Sequence, residues 1–390
     1  MNAEFYLFDI DHGQCAAVHL PNGRWCIFDV GSRADFSPIE WIIDQAATNH
    51  PRFNPARHKA LATAFKFEKA TISHLHGDHI TESEILFKHL KTESFGLRYT
   101  TPDEQLLTDM RDSNSETSLP LVRRFLRLCR ERANAIQNHP TNQILPPPAP
   151  SSTLPSLASL FAQQLTTPRL PSLRELLAEQ SVVPKPSSLP SLMAARLTPP
   201  SPLPPVFPPV AAQSTLVIEP NLGVVKIRER GIPLNITRKI EGSSAQSRVN
   251  NSSIVSRINA FGSSILLCGD LEGEGWEFVL NSRLPMLQQW RELVSGVDIL
   301  VAPHHGHRSG FSTTLLSLAK PAVVLVSVKS GDENVDSRYS GDMISGICLD
   351  GTDYCCITTR QKGHIKVTIE PPAIGQKGQR SWSFGDVTLG

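Results

Sequence analysis

The chain has 390 residues, and its charge is nearly balanced. It contains 38 Lys and Arg and 37 Asp and Glu, which give a formal net charge of +1. This length accommodates one large domain with an insertion, or two domains. The charge balance argues against a protein that binds nucleic acid through bulk electrostatics, although a local basic patch is compatible with it.

Cysteine usage indicates a reducing compartment, and hydropathy predicts neither a signal peptide nor a membrane span. The seven cysteines have irregular spacing and form no Cys-x-x-Cys pair, which is typical of intracellular proteins. Residues 1–20 lack a basic segment followed by an apolar run, and no stretch reaches about 18 uninterrupted apolar residues. We therefore expect no signal peptide, no membrane span and a cytoplasmic location.

Three short apolar segments at the N-terminus predict successive β-strands over residues 4–10, 15–20 and 24–30. The turn sequences His12-Gly13 and Pro21-Asn22-Gly23 separate them. Such short connections favour an antiparallel meander.

The densest group of potential metal ligands follows a short strand-like segment. It places His74, His76, Asp78 and His79 within six positions. Imidazole and carboxylate are ligands that zinc-type cations prefer. Side chains at i and i+2 of an extended segment point the same way, so His74 and His76 can bind one ion, while the turn at Gly77 lets the other two face a second ion. The alternative is a surface loop that is merely rich in His.

Helical periodicity predicts helices over 38–47, 80–89 and 119–138, and residues 95–100 predict a further strand. The 119–138 helix is the most amphipathic, because its arginines lie mostly off the apolar stripe. A basic face of this kind can contact phosphates, but it is more often simply solvated. The arginines are Arg123, Arg124, Arg127, Arg130 and Arg132.

The composition changes between residues 140 and 209, where 18 of the 31 prolines fall beside only six charged residues. A Leu-Pro-Ser-Leu unit occurs three times, at 154–157, 170–173 and 189–192. Proline followed by helix formers predicts short helices on extended linkers, which could dock on this protein or on a partner protein. The alternative is a flexible low-complexity insertion.

The second half contains further predicted strands and two helices. Two of the strands end in polar groups that suit metal binding, Gly269-Asp270 and His304-His305-Gly306-His307. A glycine before the Asp lets the backbone close in on a site. The strands are predicted over 214–219, 224–230, 250–255, 261–271, 297–303 and 321–328, and the helices over 274–281 and 285–294.

The His-x-His-x-Asp-His pattern of residues 74–79 resembles the signature of the metallo-β-lactamase fold hydrolases. Other segments resemble the branch of that superfamily typified by the hydrolase domain of the competence protein ComEC. The resemblance covers residues 4 to about 100 and about 215 to 370, but not the middle of the chain. These segments are residues 9–14, the turn Asp29-x-Gly31, residues 250–255, Gly269-Asp270 and His304-His305-Gly306. The first of them differs from the family pattern at Asp11, His12 and Gln14.

The resemblance implies an α/β fold, an αββα metallo-β-lactamase-like sandwich with a Pro-rich insertion. Residues 1–118 and 214–375 would form its two halves. Residues 119–213 would contribute the basic helix and the insertion, and residues 376–390 a loosely ordered tail. The implied chemistry is hydrolysis by a metal-activated water at two Zn²⁺ ions, with Mn²⁺ as an alternative metal.

The resemblance also implies a set of site residues. The first ion would be bound by His74 and His76, with Asn251 or an open position replacing a His that this branch lacks. The second would be bound by Asp78, His79 and His304, with Asp270 bridging both ions. His305 is the fallback ligand or a proton donor. Asp29 would support the loop that carries His74–His79, and His12 could add a polar group to the site. The implied catalytic residues are Asp78, Asp270 and His305.

Three functions remain open on this reading. The first is a phosphodiesterase or nuclease whose substrate is nucleic acid or another phosphoester. The second is an interaction module of a multi-protein bacterial system, in which the Leu-Pro-Ser-Leu repeats recruit a protein partner and activity is weak or absent. The third is a hydrolase of a small phosphoester. None of them requires a membrane.

Overall fold

Two β-sheets organise the chain. The computed structural model describes residues 1–91, 97–113, 118–137, 224–240, 244–329, 334–372 and 382–386. These residues belong to one structural unit, Met1–Asn142 with Val217–Gly390. The Leu-Pro-Ser-Leu repeats and the strand predicted over 214–219 lie outside the described residues.

The described strands follow the apolar segments of the sequence closely. They are β1 (Ala3–Leu7), β2 (Ala16–His19), β3 (Trp25–Phe28), β4 (Lys69–Thr71), β5 (Leu97–Arg98), β6 (Val225–Gly231), β7 (Ile254–Ala260), β8 (Ser263–Leu267), β9 (Ile299–Val301), β10 (Val323–Val326), β11 (Ile347–Leu349), β12 (Thr352–Tyr354), β13 (Cys356–Thr358), β14 (Ile365–Ile369) and β15 (Trp382–Asp386).

The described helices are mostly short. They are α1 (Pro38–Thr48), α2 (His58–Ala64), α3 (Ser83–His89), α4 (Glu104–Ser113), α5 (Ser118–Gln137), α6 (Leu234–Thr237), α7 (Ala245–Asn250), α8 (Gly273–Asn281), α9 (Pro285–Val294), α10 (Thr313–Ala319) and α11 (Thr359–Lys362). None of them combines the length and the hydrophobicity that crossing a bilayer requires.

The first sheet joins the two ends of the chain, with the strand order β15-β14-β1-β2-β3-β4-β5. Strand β1 lies between β2 and β14 and pairs antiparallel with both, so that Phe5 lies opposite Val18 on one side and Val367 on the other. Strands β3, β4 and β5 pair in parallel, and the β3–β4 connection crosses over through α1 and α2.

The second sheet has the order β13-β10-β9-β8-β7-β6. Its first three strands in sequence form an antiparallel meander, and β8, β9, β10 and β13 pair in parallel. Strands β11 and β12 form a separate two-stranded ribbon.

Alternating side chains place each sheet between two apolar layers. In β1, Phe5 and Leu7 face a core shared with the second sheet, whereas Tyr6 faces a core built with helices. In β8, Ile265 faces the shared core and Leu266 packs with the helices of the second half. The period of two along a strand explains this division. The two sheets therefore face each other, and helices cover the outer face of each, which confirms the predicted α/β class.

Helix α5 confirms the predicted amphipathic helix, and its apolar face is part of the core of the first half. Val122, Phe125 and Cys129 are buried there. Several arginines of its polar face have protein partners, since Arg124 pairs with Glu84 and Arg132 donates to the carbonyl of Lys91. These contacts help to attach the helix to α3 and its following segment, so they reduce the number of arginines available for phosphate binding.

Two sequence-based expectations were wrong. The tail is not loosely ordered throughout, because β15 pairs with β14 in register from Ile369↔Trp382 onward. The strand predicted from residue 250 begins only at Ile254, because Asn250 ends α7, whose N-terminal Ser244 accepts a hydrogen bond from the amide of Ser247. Polar capping and turn residues favour this local structure over a strand.

Candidate metal centre

Two groups of His and Asp side chains converge where strands of the two sheets end. The segment after β4 contributes His74 and His76 and, in the 3₁₀ turn Gly77–His79, Asp78 and His79. Asp270 follows β8, and His305 follows β9. All three strands are buried, and the polar side chains that follow them meet where the strands end.

The first group consists of His74, His76 and Asp270, whose ligand atoms all lie within 4.8 Å of one another. His74 Nε2 lies 2.9 Å from His76 Nδ1 and 3.6 Å from Asp270 Oδ2. His74 is fully buried, and Asp270 is 3% exposed. Two imidazoles and a carboxylate leave one position of a tetrahedral zinc site open.

The second group consists of Asp78, His79 and His305, again within 4.8 Å. Asp78 Oδ2 lies 3.8 Å from His79 Nε2 and 3.7 Å from His305 Nε2. Like the first group, it has two imidazoles and one carboxylate.

Asp270 lies between the two groups and presents a different oxygen to each. Its Oδ2 faces His74, as described above, while its Oδ1 lies 3.5 Å from His79 Nε2 and 3.6 Å from His305 Nε2. Gly269 has φ +56° and allows this close approach, because a Cβ there would come within 2.9 Å of the Cβ of Ser73. The carboxylate is thus positioned to bridge two ions.

Unpaired buried atoms in the two groups indicate whether the groups could bind cations. Several buried ligand atoms have no hydrogen-bond partner within the described part of the chain: His76 Nε2, His79 Nε2, Asp270 Oδ1, and both ring nitrogens of His305. Buried polar atoms without partners are unfavourable and uncommon in folded proteins. Their convergence, and their identity as nitrogen and carboxylate oxygen, fit two divalent cations of zinc type.

The charges of the site favour the same interpretation. Burial, together with the nearby His79 ring, lowers the pKa of His74 well below its ordinary value, which keeps it in the neutral form that binds metals. Burial opposes the charged form of His79 too, but Asp270, Asp29 and Asp78 raise its pKa well above the ordinary value. Three carboxylates thus surround one buried ring, and bound cations would balance their charge.

Asp29 lies behind the loop of residues 73–79, the ligand loop, and accepts several hydrogen bonds. Its carboxylate accepts from the amide of Ser73 at 2.7 Å, the hydroxyl of Ser73 at 2.8 Å and the Gln14 amide at 3.3 Å. Its Oδ2 also lies 3.0 Å from His79 Nδ1. A proton on Nδ1 would be held by this carboxylate, which leaves the Nε2 lone pair for an ion.

We therefore expect the Asp29→Asn substitution to weaken zinc binding about 10- to 100-fold, the usual effect of losing such an outer partner. An amide N–H facing His79 Nδ1 would favour the tautomer with the proton on Nε2, which cannot bind a cation. Competition with a chromophoric chelator would measure the affinity, and the exposed Asp35→Asn variant would be the control. An unchanged affinity combined with a lower Tm would mean that Asp29 only stabilises the loop.

The two neighbouring histidines after β9 have different positions from those preferred on sequence grounds. His304, the preferred ligand, lies outside both groups, and its Nδ1 lies 2.7 Å from Ser309 Oγ and 3.9 Å from Glu272 Oε1. His305, the fallback, lies in the second group. Both residues have positive φ, 49° and 53°, which is unusual for residues other than glycine.

The structure also places the two remaining candidates. Asn251 lies outside both groups, and its Oδ1 accepts a hydrogen bond of 3.0 Å from the amide of Glu272, so the first group keeps its open position. The side chain of His12 is 72% exposed, with Nε2 3.4 Å from Asp78 Oδ2 and its ring centroid 5.6 Å from that of His305. His12 therefore lies at the rim of the second group.

Sequence reasoning missed several residues that shape the site. Ser73 contacts Asp29, and its Oγ also lies 3.1 Å from His74 Nδ1 and 3.3 Å from His79 Nδ1. Gly13 and Gly31 let two turns pass against the ligand loop, because a Cβ on either would lie within 2.4 Å of the carbonyl oxygen of Asp78. The position of Ser73 directly before His74 was the available signal for it.

Neither the protein-family models nor the curated proteins contain a match to this chain. The functional argument therefore depends on the donor atoms, their distances and their burial, together with the motif resemblance described above.

Proposed function

We propose that this chain is a metal-dependent hydrolase that cleaves phosphodiesters, with nucleic acid as the substrate of choice. The observation that carries the proposal is the position of Asp270, which directs one carboxylate oxygen toward each group of ligands. A shared carboxylate between two ion positions is a feature of two-metal hydrolytic sites.

The architecture supports a metallo-β-lactamase-like αββα sandwich as the fold. Two sheets face each other across a shared core, and helices cover their outer faces. The ligands follow β4, β8 and β9, at ends of strands in both sheets. The same segments carry the His-x-His-x-Asp-His, Gly-Asp and His-His-Gly patterns on which the resemblance depends.

The residues would share the chemistry as follows. Two divalent ions, Zn²⁺ or Mn²⁺, would supply a water of lowered pKa and a Lewis acid for the scissile bond. His74 and His76 would hold the first and Asp78, His79 and His305 the second, with Asp270 between them. Asp29 would orient the ring of His79, and the exposed His12 would contact a substrate at the rim of the second group.

A substrate panel tests this proposal. Protein carrying two equivalents of Zn²⁺ or Mn²⁺ should hydrolyse bis(p-nitrophenyl) phosphate and 5′-labelled single-stranded DNA, and should lose both activities in EDTA and regain them when metal is added back. Failure of both substrates in protein that demonstrably holds two ions would overturn the phosphodiesterase proposal. Cleavage of bis(p-nitrophenyl) phosphate without any cleavage of DNA would favour the small-phosphoester alternative.

The interaction-module alternative stays a prediction from the sequence. It depends on the Leu-Pro-Ser-Leu repeats, which lie outside the described residues. The near-complete set of converging ligands described above favours an enzyme over this alternative.

A further inference from the structure

An open cleft of about 610 Å³ lies beside the segment that follows His305. Its volume is typical of sites that bind small organic ligands. Ser309 connects the cleft to the residue before His305, because its Oγ lies 2.7 Å from His304 Nδ1 while its carbonyl accepts from the amide of Gly273 at 2.6 Å. The lining residues are Lys239, Ile240, Gly273, Glu274, Glu277, Phe278, Arg308, Ser309 and Phe311.

Two exposed cations lie on the walls of this cleft, which we call the Arg308 cleft. Arg308 and Lys239 come from segments about 70 residues apart in the sequence, and neither forms an ion pair with a carboxylate of the described residues. Helix α8 begins at Gly273, so the positive end of its dipole also lies at the cleft. These features favour an anionic ligand group such as a phosphate.

Two acidic residues, Glu274 and Glu277, also line the cleft and would oppose the binding of an anion to different extents. Glu277 is held by hydroxyl donors, Ser312 Oγ at 2.8 Å and Thr314 Oγ1 at 2.7 Å, so its charge is partly compensated. Glu274 is exposed in the first turn of α8. Its carboxylate would serve as an acceptor for an amino or hydroxyl group of a ligand.

The cleft also offers aromatic surface. Phe278 and Phe311 line it and are only partly buried. The guanidinium of Arg338 lies 3.8 Å from the centroid of the Phe311 ring and packs over one face of that ring. A planar base can pack against such side chains, which is how single-stranded nucleic acids are usually held.

We propose that the Arg308 cleft binds the nucleotide next to the scissile phosphodiester, with its phosphate at Arg308 and Lys239 and its base against Phe278 and Phe311. The inference rests on the proposed hydrolase function, because it places the remainder of a nucleic-acid substrate beside the candidate metal centre. It combines a cavity, two cations without a described ion-pair partner, aromatic walls and a direct link to the ligand segment.

Binding tests the cleft without any metal. Fluorescence anisotropy in EDTA would measure the affinity of a fluorescein-labelled thymidine oligonucleotide. The Arg308→Ala/Lys239→Ala variant should bind about tenfold more weakly, with a shallower dependence of affinity on salt. The Arg52→Ala/Lys59→Ala variant removes the same charge from the exposed α1–α2 region and should bind like the wild type. Equal affinity of wild type and cleft variant would overturn the inference.

Kinetic measurements on two substrates then distinguish an effect on the cleft from an effect on the metal centre. The loss of kcat/KM in the cleft variant should be at least about tenfold larger for the oligonucleotide than for bis(p-nitrophenyl) phosphate, which is too small to fill both places. Equal losses on both substrates would overturn the inference while leaving the hydrolase proposal intact. Weaker oligonucleotide binding in a protein that hydrolyses neither substrate would support the cleft as a nucleic-acid site and contradict the hydrolase proposal.

Discussion

Replacement of Asp270 by Ala will reduce bound zinc from about two equivalents to one or fewer and lower phosphodiester hydrolysis by about 10³-fold or more. The carboxylate faces both sets of ligands, so its loss removes a ligand from each ion position. Burial would raise the pKa of Asp270, but the His305, His79 and His74 rings lower it well below the ordinary value, so the group is an anion in the folded protein. Plasma mass spectrometry of protein purified without added metal would measure the stoichiometry.

The Asp298→Asn variant is the matched control for this experiment. Asp298 is a buried carboxylate of the same sheet, just before β9, and accepts from the amide of Ser264 at 2.7 Å. Its described side-chain hydrogen bonds go to Ser264 and to no residue of either ligand group, so both ions should be retained. Two equivalents of zinc in the Asp270→Ala variant would rule out a bridging role, and a wild type that binds none after reconstitution would contradict the metal centre itself.

The Glu229→Ala substitution will lower the free energy of unfolding by about 3–5 kcal/mol, because it leaves a buried ammonium without its partner. Glu229 lies on β6, and its carboxylate accepts from Lys69 Nζ at 2.8 Å and Thr71 Oγ1 at 2.5 Å, both on β4 of the other sheet. The two ionised side chains are 0% and 6% exposed. Arg98 Nε, at 3.4 Å, is the other cation near this carboxylate.

A double substitution separates the cost of an unpaired charge from the value of the pair. The Lys69→Met/Glu229→Met variant removes both charges and should recover most of the lost stability, since apolar side chains of similar volume commonly replace buried ion pairs well. Urea unfolding of the single and double variants would give the coupling energy. Additive losses, with the double variant less stable than either single variant, would contradict the argument.

The local features of this protein were accessible from the sequence. The strand segments, helix α5 and the group His74–His79 depend on neighbours within a few residues. Periodicity and ligand density therefore reveal them directly. Asp29 is 44 residues away from Ser73 in the sequence, so its expected position behind the ligand loop came from the motif resemblance and not from local pattern.

Features that depend on backbone direction were not accessible. His304 and His305 are chemically identical neighbours in a turn where both have positive φ, and the sequence does not specify that the ring of His305 is the one that faces Asp270. Asn251 looked like a possible ligand, but the end of α7 directs its oxygen to the amide of Glu272. A residue type and a spacing do not specify such orientations, because a turn of one residue redirects the side chain.

The sequence by itself determined the α/β class, most of the strands and helices, and the residue types of the candidate metal centre. Only the tertiary structure decided that β14 and β15 extend the sheet that contains β1. It also decided that the two carboxylate oxygens of Asp270 face different ligand groups, and that three distant segments form the Arg308 cleft. The physical reason is the sequence separation of the residues involved: periodicity and ligand density are read within one helix or strand, whereas these contacts join residues that are far apart in the chain and meet only on folding.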